Sequence, residues 1–139
     1  MRTLPYRWIV VPLLVFIAIG AIPAGYGFLG TPDGSAVGIP AGWIEDTPFS
    51  DYLIPGALLM GLGVLHLAAA YLELRRDALA PWLTEVAGCG MIIWIAVQAI
   101  MMGSFRHPIQ TTLQAVCITV GITTAILGYL QIRRMRSAY

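Results

Sequence analysis

The stretch TPFSDYLIPGALLMGLGVLHLAAAYLELRR, residues 47–76, decides how this chain folds. It begins with turn-forming residues and an acid, Asp51, and continues through a long uncharged run that contains one histidine, His66. It ends on two arginines. A helix needs about 20 predominantly apolar residues to cross the hydrocarbon core of a bilayer. The stretch is therefore predicted to form one transmembrane helix with polar signals at both ends.

The composition of the whole chain indicates a membrane protein. Of its 139 residues, 58% are hydrophobic and 11% are charged, and the mean hydropathy is +0.79. A soluble domain carries about 25% charged residues. A chain this short also has too little interior to hide so many apolar side chains from water. We therefore expect a single integral membrane domain over residues 1–139, with lipid as the solvent for most of it.

Runs that are free or nearly free of charge predict four membrane-spanning helices. Each run is long enough to cross the bilayer. The first run is longer than the apolar core of a signal peptide, about 7–15 residues, so it is predicted to be a retained helix. The predicted fold class is all-α, a four-transmembrane-helix bundle. The predicted helices are 8–29, 51–74, 81–103 and 109–132, and residues 30–50 form the longest loop.

Arginine placement predicts the orientation of these helices. With four crossings, Arg106 lies on one side of the membrane together with the acids of the 30–50 loop. Basic residues are enriched in cytoplasmic segments. Both termini are therefore predicted to be cytoplasmic and the 30–50 loop external. The arginines assigned to the cytoplasmic side are Arg2, Arg7, Arg75, Arg76, Arg133, Arg134 and Arg136.

Asp46 and Asp51 are acids at the predicted external end of the second helix. Thr47 followed by Pro48 is typical of an N-cap and a first helical residue. Asp51 would then face the positive end of the helix dipole. A calcium site needs about 6–8 oxygen ligands, and the acids lack the spacing of such a loop. We therefore assign them to solvation and capping, and predict no metal site.

Small and polar residues predict which helix faces pack together, because lipid leaves little hydrophobic drive between membrane helices. A stripe of such residues runs along the second helix through Tyr52, Gly56, Leu59, Gly63, His66, Ala70 and Glu73. Another follows the fourth helix through Gln114, Cys117, Gly121, Thr124, Gly128 and Gln131. Both stripes are expected to face the bundle centre. The opposite face of the fourth helix is expected to face lipid through Leu113, Val116, Val120 and Leu127.

Gln98 in the third helix is a candidate partner-contact residue. It lies thirteen residues after Glu85, which is about 220° around an ideal helix. If Glu85 faces the bundle, Gln98 is expected to face lipid or a second polypeptide, on the side that also carries Met91 and Trp94. The alternative is a kink near Gly88, or an amide that reaches sideways.

His66 and Glu85 are candidates for an intramembrane polar pair. His66 lies about 10 Å above the cytoplasmic end of its helix and Glu85 about 6 Å above the start of the next, at 1.5 Å per residue. A short turn makes these helices antiparallel neighbours. A histidine–glutamate pair can relay protons or gate a cation path. The alternative is structural: Glu85 pairs with Arg75 or Arg76, and His66 is a neutral hydrogen-bonding residue.

Several chemistries lack their motifs. Cys89 and Cys117 form no CxxC pair, and His66 is the one histidine inside a span, whereas bis-histidine haem ligation needs two. No phosphate-binding loop, nucleophile elbow or metalloprotease motif is present. The arginines form juxtamembrane pairs rather than a nucleic-acid patch. The sequence therefore predicts no enzyme, no cofactor and no nucleic-acid partner.

The segment PFSDYLIPGALLMGLGVLHLAAA at 48–70, followed by IIWIAVQ at 92–98, resembles a pattern in a family of small bacterial membrane proteins with four helices. The resemblance implies a multi-pass protein of the bacterial cytoplasmic (inner) membrane in which the helix start from Asp51 to Gly56 recurs. It implies no activity.

These observations lead to two main functional hypotheses. In the first, the protein is an accessory, scaffold or oligomeric subunit that works by helix–helix association, with the lipid bilayer and a second copy or a larger membrane complex as partners. In the second, it is a small oligomeric transporter or channel with a polar path through His66 and Glu85. An enzymatic or lipid-binding role is a third. The candidate packing or partner residues are Gly56, Gly63, Gln98, Gln114, Gly121, Thr124 and Gly128.

Overall fold

The computed structural model describes residues 6–102 and 107–139, and within these ranges the chain is helical with no strand. Each of the long helices has the length and apolar composition to cross a membrane. The predicted all-α class with four such helices is therefore confirmed. Arg2, Arg106 and the predicted end of the third helix at residue 103 lie outside the described residues. The helices are α1 Arg7–Gly30, α2 Leu53–Arg75, α3 Ala80–Met102 and α4 Pro108–Arg136.

The helices pack mainly as two consecutive pairs. α1 lies along α2 and α3 lies along α4, whereas α2 with α3 and α1 with α4 make smaller contacts. Glycine makes the close pairs possible. A Cβ atom added at Gly63 would lie 2.8 Å from a side-chain carbon of Ile22 on α1, and one added at Gly128 would lie 2.7 Å from the backbone nitrogen of Glu85 on α3. These are distances that real side chains do not tolerate, so the seams depend on the missing side chains.

The start of α2 differs from its predicted position. The helix begins at Leu53, whose backbone N–H donates to Oδ1 of Asp51 at 2.9 Å. Thr47 is not the N-cap: its hydroxyl donates to the carbonyl of Ile44 at 2.7 Å and closes a turn of the loop instead. The Thr47–Pro48 prediction was therefore wrong. A tertiary constraint on the loop outweighs the local capping signal.

That constraint is Tyr52, the residue before α2, which anchors the 31–52 loop to the helix ends. Its N–H donates to the carbonyl of Pro32 and its hydroxyl donates to the carbonyl of Pro40, both at 2.8 Å. Its ring stacks on Phe28 of α1 with centroids 4.7 Å apart. Burial raises the pKa of the Tyr52 phenol to about 12. The hydroxyl therefore remains a donor across the physiological range.

The turn between α2 and α3 ends α2 with Arg76 in the left-handed conformation, at φ 59°. The N–H of Asp77 bonds to the carbonyl of Leu72, and the N–H of Arg76 bonds to that of Glu73. This is the Schellman arrangement, which satisfies the last carbonyls of a helix and usually places glycine at the left-handed position. The turn is short, so α2 and α3 are antiparallel neighbours.

Candidate functional site

The inward faces of α2 and α4 contain most of the small and polar residues that the sequence singled out. Cys117 of α4 was predicted to be inward and is half-buried. Two residues of α4 that were predicted to face lipid are also not fully exposed. Val120 and Leu127 pack partly against the core, so their predicted lipid exposure was wrong, whereas Leu113 and Val116 are exposed. The buried members are Tyr52, Gly56, Gly63, His66, Ala70 and Glu73 before and along α2, and Gln114, Gly121, Thr124, Gly128 and Gln131 along α4.

A buried carboxylate, Glu73 of α2, interacts with residues of the three other helices at one end of the bundle. It is 1% exposed. The hydroxyl of Thr84 on α3 donates to its Oε1 at 3.0 Å, and the side-chain amide of Gln131 on α4 donates to its Oε2 at 3.4 Å. The guanidinium of Arg7 on α1, itself 6% exposed, acts electrostatically on the same carboxylate. All four helices of the described chain therefore meet at Glu73.

This centre was only partly visible in the sequence. Glu73 and Gln131 belonged to the two predicted inward stripes, but Thr84 and Arg7 were not assigned to it. A signal did exist: Arg7 begins α1, Thr84 lies in the first turns of α3, and Glu73 lies in the last turn of α2. These three helix ends lie at the same membrane surface, so the three side chains are at a similar depth and can meet. An acid there that is not exposed needs hydrogen-bond donors and a positive charge.

His66 lies fully buried on α2, two turns from Glu73. Its Nδ1 is 2.7 Å from the carbonyl oxygen of Leu62. A carbonyl can only accept, so Nδ1 carries the proton, and in the neutral ring Nε2 then presents a lone pair. Nε2 is buried and has no hydrogen-bond partner. The histidine therefore offers an acceptor to the bundle interior.

Glu85 is directed elsewhere. Its backbone lies against Gly128 of α4, its Oε1 accepts from the thiol of Cys89 at 3.7 Å, and its Oε2 is buried without a hydrogen bond. No hydrogen bond of the described residues joins His66 to Glu85. The depth estimate along each helix was not sufficient to bring the two together, because α3 turns the Glu85 side toward α4. The acid that lies on the His66 face is Glu73.

The hydrogen bond between Glu73 and Gln131 also sets the register of α2 against α4, which run in the same direction. His66 and Thr124 each lie seven residues before these partners, so they share a depth about 10 Å from them and nearly the same helix face. Both residues are fully buried. Nε2 of His66 and Oγ1 of Thr124 both lack a hydrogen-bond partner. Two buried polar atoms without hydrogen-bond partners therefore lie at the same depth in the bundle interior.

Further unpartnered polar atoms continue this column along α4. Buried polar groups in proteins are nearly always hydrogen-bonded. From Gln110 to Gln131 the helix rises about 31 Å at 1.5 Å per residue, close to the thickness of the hydrocarbon core. A polar line thus extends through the bundle. The remaining unpartnered atoms are Nε of Arg7, Nε2 of Gln110 and Gln114, and Oε1 of Gln131.

The Gln98 side of α3 does not face away from the bundle. Met91, on that side, is 2% exposed and packs with Ile17 of α1, and Trp94 packs partly against the same cluster. Gln98 itself is half-buried. The reason is that α3 contacts α4 through Gly88, which brings Met91 against Gly121. The expectation that Met91 and Trp94 lie on a side that faces lipid or a partner was therefore wrong, whereas the assignment of Gln98 as a partner-contact residue stays a prediction.

The acids predicted from the sequence to be external form no ligand cluster among the residues that the structure describes. Asp51 accepts the Leu53 amide, Asp46 is exposed in the loop, and Asp33 accepts the N–H and hydroxyl of Ser35 at 2.9 and 2.7 Å. The backbone bond and then the side-chain bond from Ser35 lower the pKa of Asp33. Within the described ranges no group of three or more histidine, cysteine or acidic side chains is placed to hold a metal ion.

The four candidate membrane-spanning helices define a multi-pass helical membrane protein with a polar inner seam. The chain matches no family model, no curated protein and no solved structure. The resemblance of residues 48–70 and 92–98 to small bacterial four-helix proteins therefore stays a prediction. The function has to be argued from the geometry.

Proposed function

We propose that this protein is a small subunit of the bacterial inner membrane that works by helix–helix association, as an oligomer or within a larger membrane complex. Its proposed orientation places both termini in the cytoplasm. Contacts at the ends of the chain support a shared side, since Arg134 of α4 donates to the hydroxyl of Tyr6 at 2.9 Å. The arginines of α4 and of the α2–α3 turn then lie where the positive-inside rule expects them.

The observation that carries the proposal is the outward face of α2. Ala57, Gly61, Val64 and Ala68 are exposed and follow a helical spacing of four, three and four. A Cβ atom added at Gly61 would meet nothing within 4 Å. Glycine inside a helix costs about 1 kcal/mol relative to alanine, and the packing of this bundle does not require it here. Small residues four apart allow a second membrane helix to approach closely.

Replacing Gly61 by leucine tests this proposal. The added side chain points into open space, so the bundle itself should fold and melt as the wild type does. We expect the variant to dissociate, measured by light scattering after size exclusion in a mild detergent and by crosslinking in membranes. Ala96→Leu, which enlarges a small residue at an exposed position of α3, is the matched control and should leave assembly unchanged. A wild type that is monomeric and has no partner, or a Gly61→Leu variant that assembles normally, would count against association through this face.

The second candidate is a small oligomeric transporter or channel, and the unpartnered polar atoms favour it. A polar path would follow His66 and Thr124 toward Glu73, rather than crossing directly to Glu85 as the sequence suggested. Proteoliposome flux of protons, alkali cations and small metabolites is the test. His66→Ala and Glu73→Gln should abolish flux. The effect of Glu85→Gln then decides whether the path includes the originally predicted glutamate. Absence of any wild-type flux would eliminate this candidate.

A further inference from the structure

The end of α4 and the start of α3 share an outward surface that combines two arginines with two aromatic rings. We call this the Trp82 surface, and it consists of Trp82, Tyr129, Arg133 and Arg136. Trp82 is 44% exposed and Tyr129 is 55% exposed. Both arginines are exposed, and Cζ of Arg136 lies 5.2 Å from the centroid of the Trp82 ring.

The spacing of these residues makes the surface continuous. Tyr129, Arg133 and Arg136 follow one another at four and three residues, so they lie on one face of α4. Trp82 and Tyr129 lie near the helix ends, where aromatic side chains prefer the boundary between lipid and water. Below them, Val86 of α3 and Ile126 of α4 are exposed and apolar. The surface therefore passes from basic to aromatic to apolar along the direction of the membrane normal.

The charges near the surface leave it basic. Asp77, in the turn before α3, is exposed and its Oδ1 accepts the N–H of Leu79 at 2.8 Å. Glu85 lies about one turn deeper than Trp82, with Oε2 buried. Arg134 differs from its two neighbours because its guanidinium already bonds to the Tyr6 hydroxyl. Arg133 and Arg136 are the exposed arginines that remain on this face of α4.

We propose that the Trp82 surface binds the phosphate group of an anionic phospholipid. A guanidinium stacked on an aromatic ring keeps its N–H edge open, and that edge matches phosphate oxygens bidentately. Arg136 is held by the ring of Trp82, and Arg133, three residues earlier, supplies a second charged donor. The acyl chain lies along Val86 and Ile126. This site is independent of the association face on α2.

Native mass spectrometry with added phosphatidylglycerol and phosphatidylcholine tests the site. The variant Arg133→Gln/Arg136→Gln should bind phosphatidylglycerol about 30-fold more weakly, because it removes two exposed charge-assisted contacts to the phosphate, and phosphatidylcholine as the wild type does. The matched control is Arg75→Gln/Arg76→Gln, which removes the same charge at the other basic turn. It should weaken binding by no more than about threefold, because it leaves the direct contacts to the phosphate in place and removes only screened electrostatic attraction. Equal losses in the two variants would reduce the effect to general electrostatics and overturn the proposal.

Two further measurements make the result decisive. Trp82→Leu keeps both charges and should weaken phosphatidylglycerol binding about threefold through loss of the cation–π contact; unchanged binding would remove Trp82 from the site. Inorganic phosphate at about ten times the lipid concentration should not displace the lipid, because it lacks the acyl contacts. Displacement would show that a free phosphate is sufficient and would overturn a lipid site. Thermal melts that match the wild type establish that each variant is folded.

Discussion

Replacing Glu73 by alanine is expected to be the most destabilising single truncation at the helix ends. The change leaves the Thr84 hydroxyl and the Gln131 amide, both fully buried, without their acceptor. Each orphaned donor costs about 1–3 kcal/mol. The electrostatic interaction with Arg7 is lost as well. With two orphaned donors as the main cost, we expect Glu73→Ala to lower the free energy of unfolding by about 3–5 kcal/mol.

Glu73→Gln separates the hydrogen bonds from the charge. Glutamine keeps an oxygen for Thr84, and its amide can donate to Gln131 once that side chain rotates to present Oε1, which is unpartnered in the wild type. Only the electrostatic interaction with Arg7 is lost, so a cost of about 1 kcal/mol is expected. Alanine must therefore destabilise much more than glutamine.

The free energy of unfolding can be followed with a thiol-reactive dye during titration from mild detergent into dodecyl sulfate, because Cys89 and Cys117 are free and half-buried. Gln131→Ala, alone and with Glu73→Ala, completes a double-mutant cycle. If the two residues interact as the structure shows, the double variant costs less than the two single costs combined. A Glu73→Ala variant within about 1 kcal/mol of the wild type, or a glutamine variant that is the less stable of the two, would refute the assignment.

The other predictions concern the seams and the loop. Gly88→Ala should lower the free energy of unfolding by about 1–3 kcal/mol because the new Cβ meets the backbone of α4, whereas Gly61→Ala should not destabilise; equal effects in dye-monitored melts would contradict the packing. Arg76→Gly should raise stability by about 1 kcal/mol, because glycine adopts the left-handed conformation without strain; a loss in the same titration would contradict this. The Tyr52 phenol is more acidic in the unfolded chain, near pKa 10, than in the fold, near 12. Its contribution should be complete below pH 10 and decline toward pH 12, and Tyr52→Phe should lack that decline in melts across this range.

Residue spacing predicted which side of α2 and α4 is buried, because small and polar residues repeat with the helical period along both. Gly63, Thr124 and Gly128 are inward for the reason anticipated: they permit close contact or carry polar atoms away from lipid. Composition and charge likewise predicted four long apolar helices. These features depend on local periodicity and on bilayer thickness, which a single sequence contains.

The pairing of polar groups across helices was not predictable in the same way. The depth of His66 and Glu85 follows from residue counting, but the rotation of α3 about its own axis depends on how Gly88 packs against α4. That rotation directs Glu85 toward Gly128 and leaves Thr84 to meet Glu73. Tyr52 gives a similar case at the loop. Its bonds to two prolines fix where α2 begins, against the signal of Thr47.

Two kinds of glycine distinguish what holds this bundle together from what it offers to others. At Gly63, Gly88 and Gly128 an added Cβ would collide with the neighbouring helix, so the fold itself accounts for each of them. At Gly61 the same atom would enter open space, in the middle of a helix where glycine lowers stability. Because a membrane helix gains little from apolar contact with a neighbour, close approach over small residues is the main source of affinity available to it. Gly61 weakens its own helix and serves no internal seam, and this is why the proposed association is assigned to the outward face of α2.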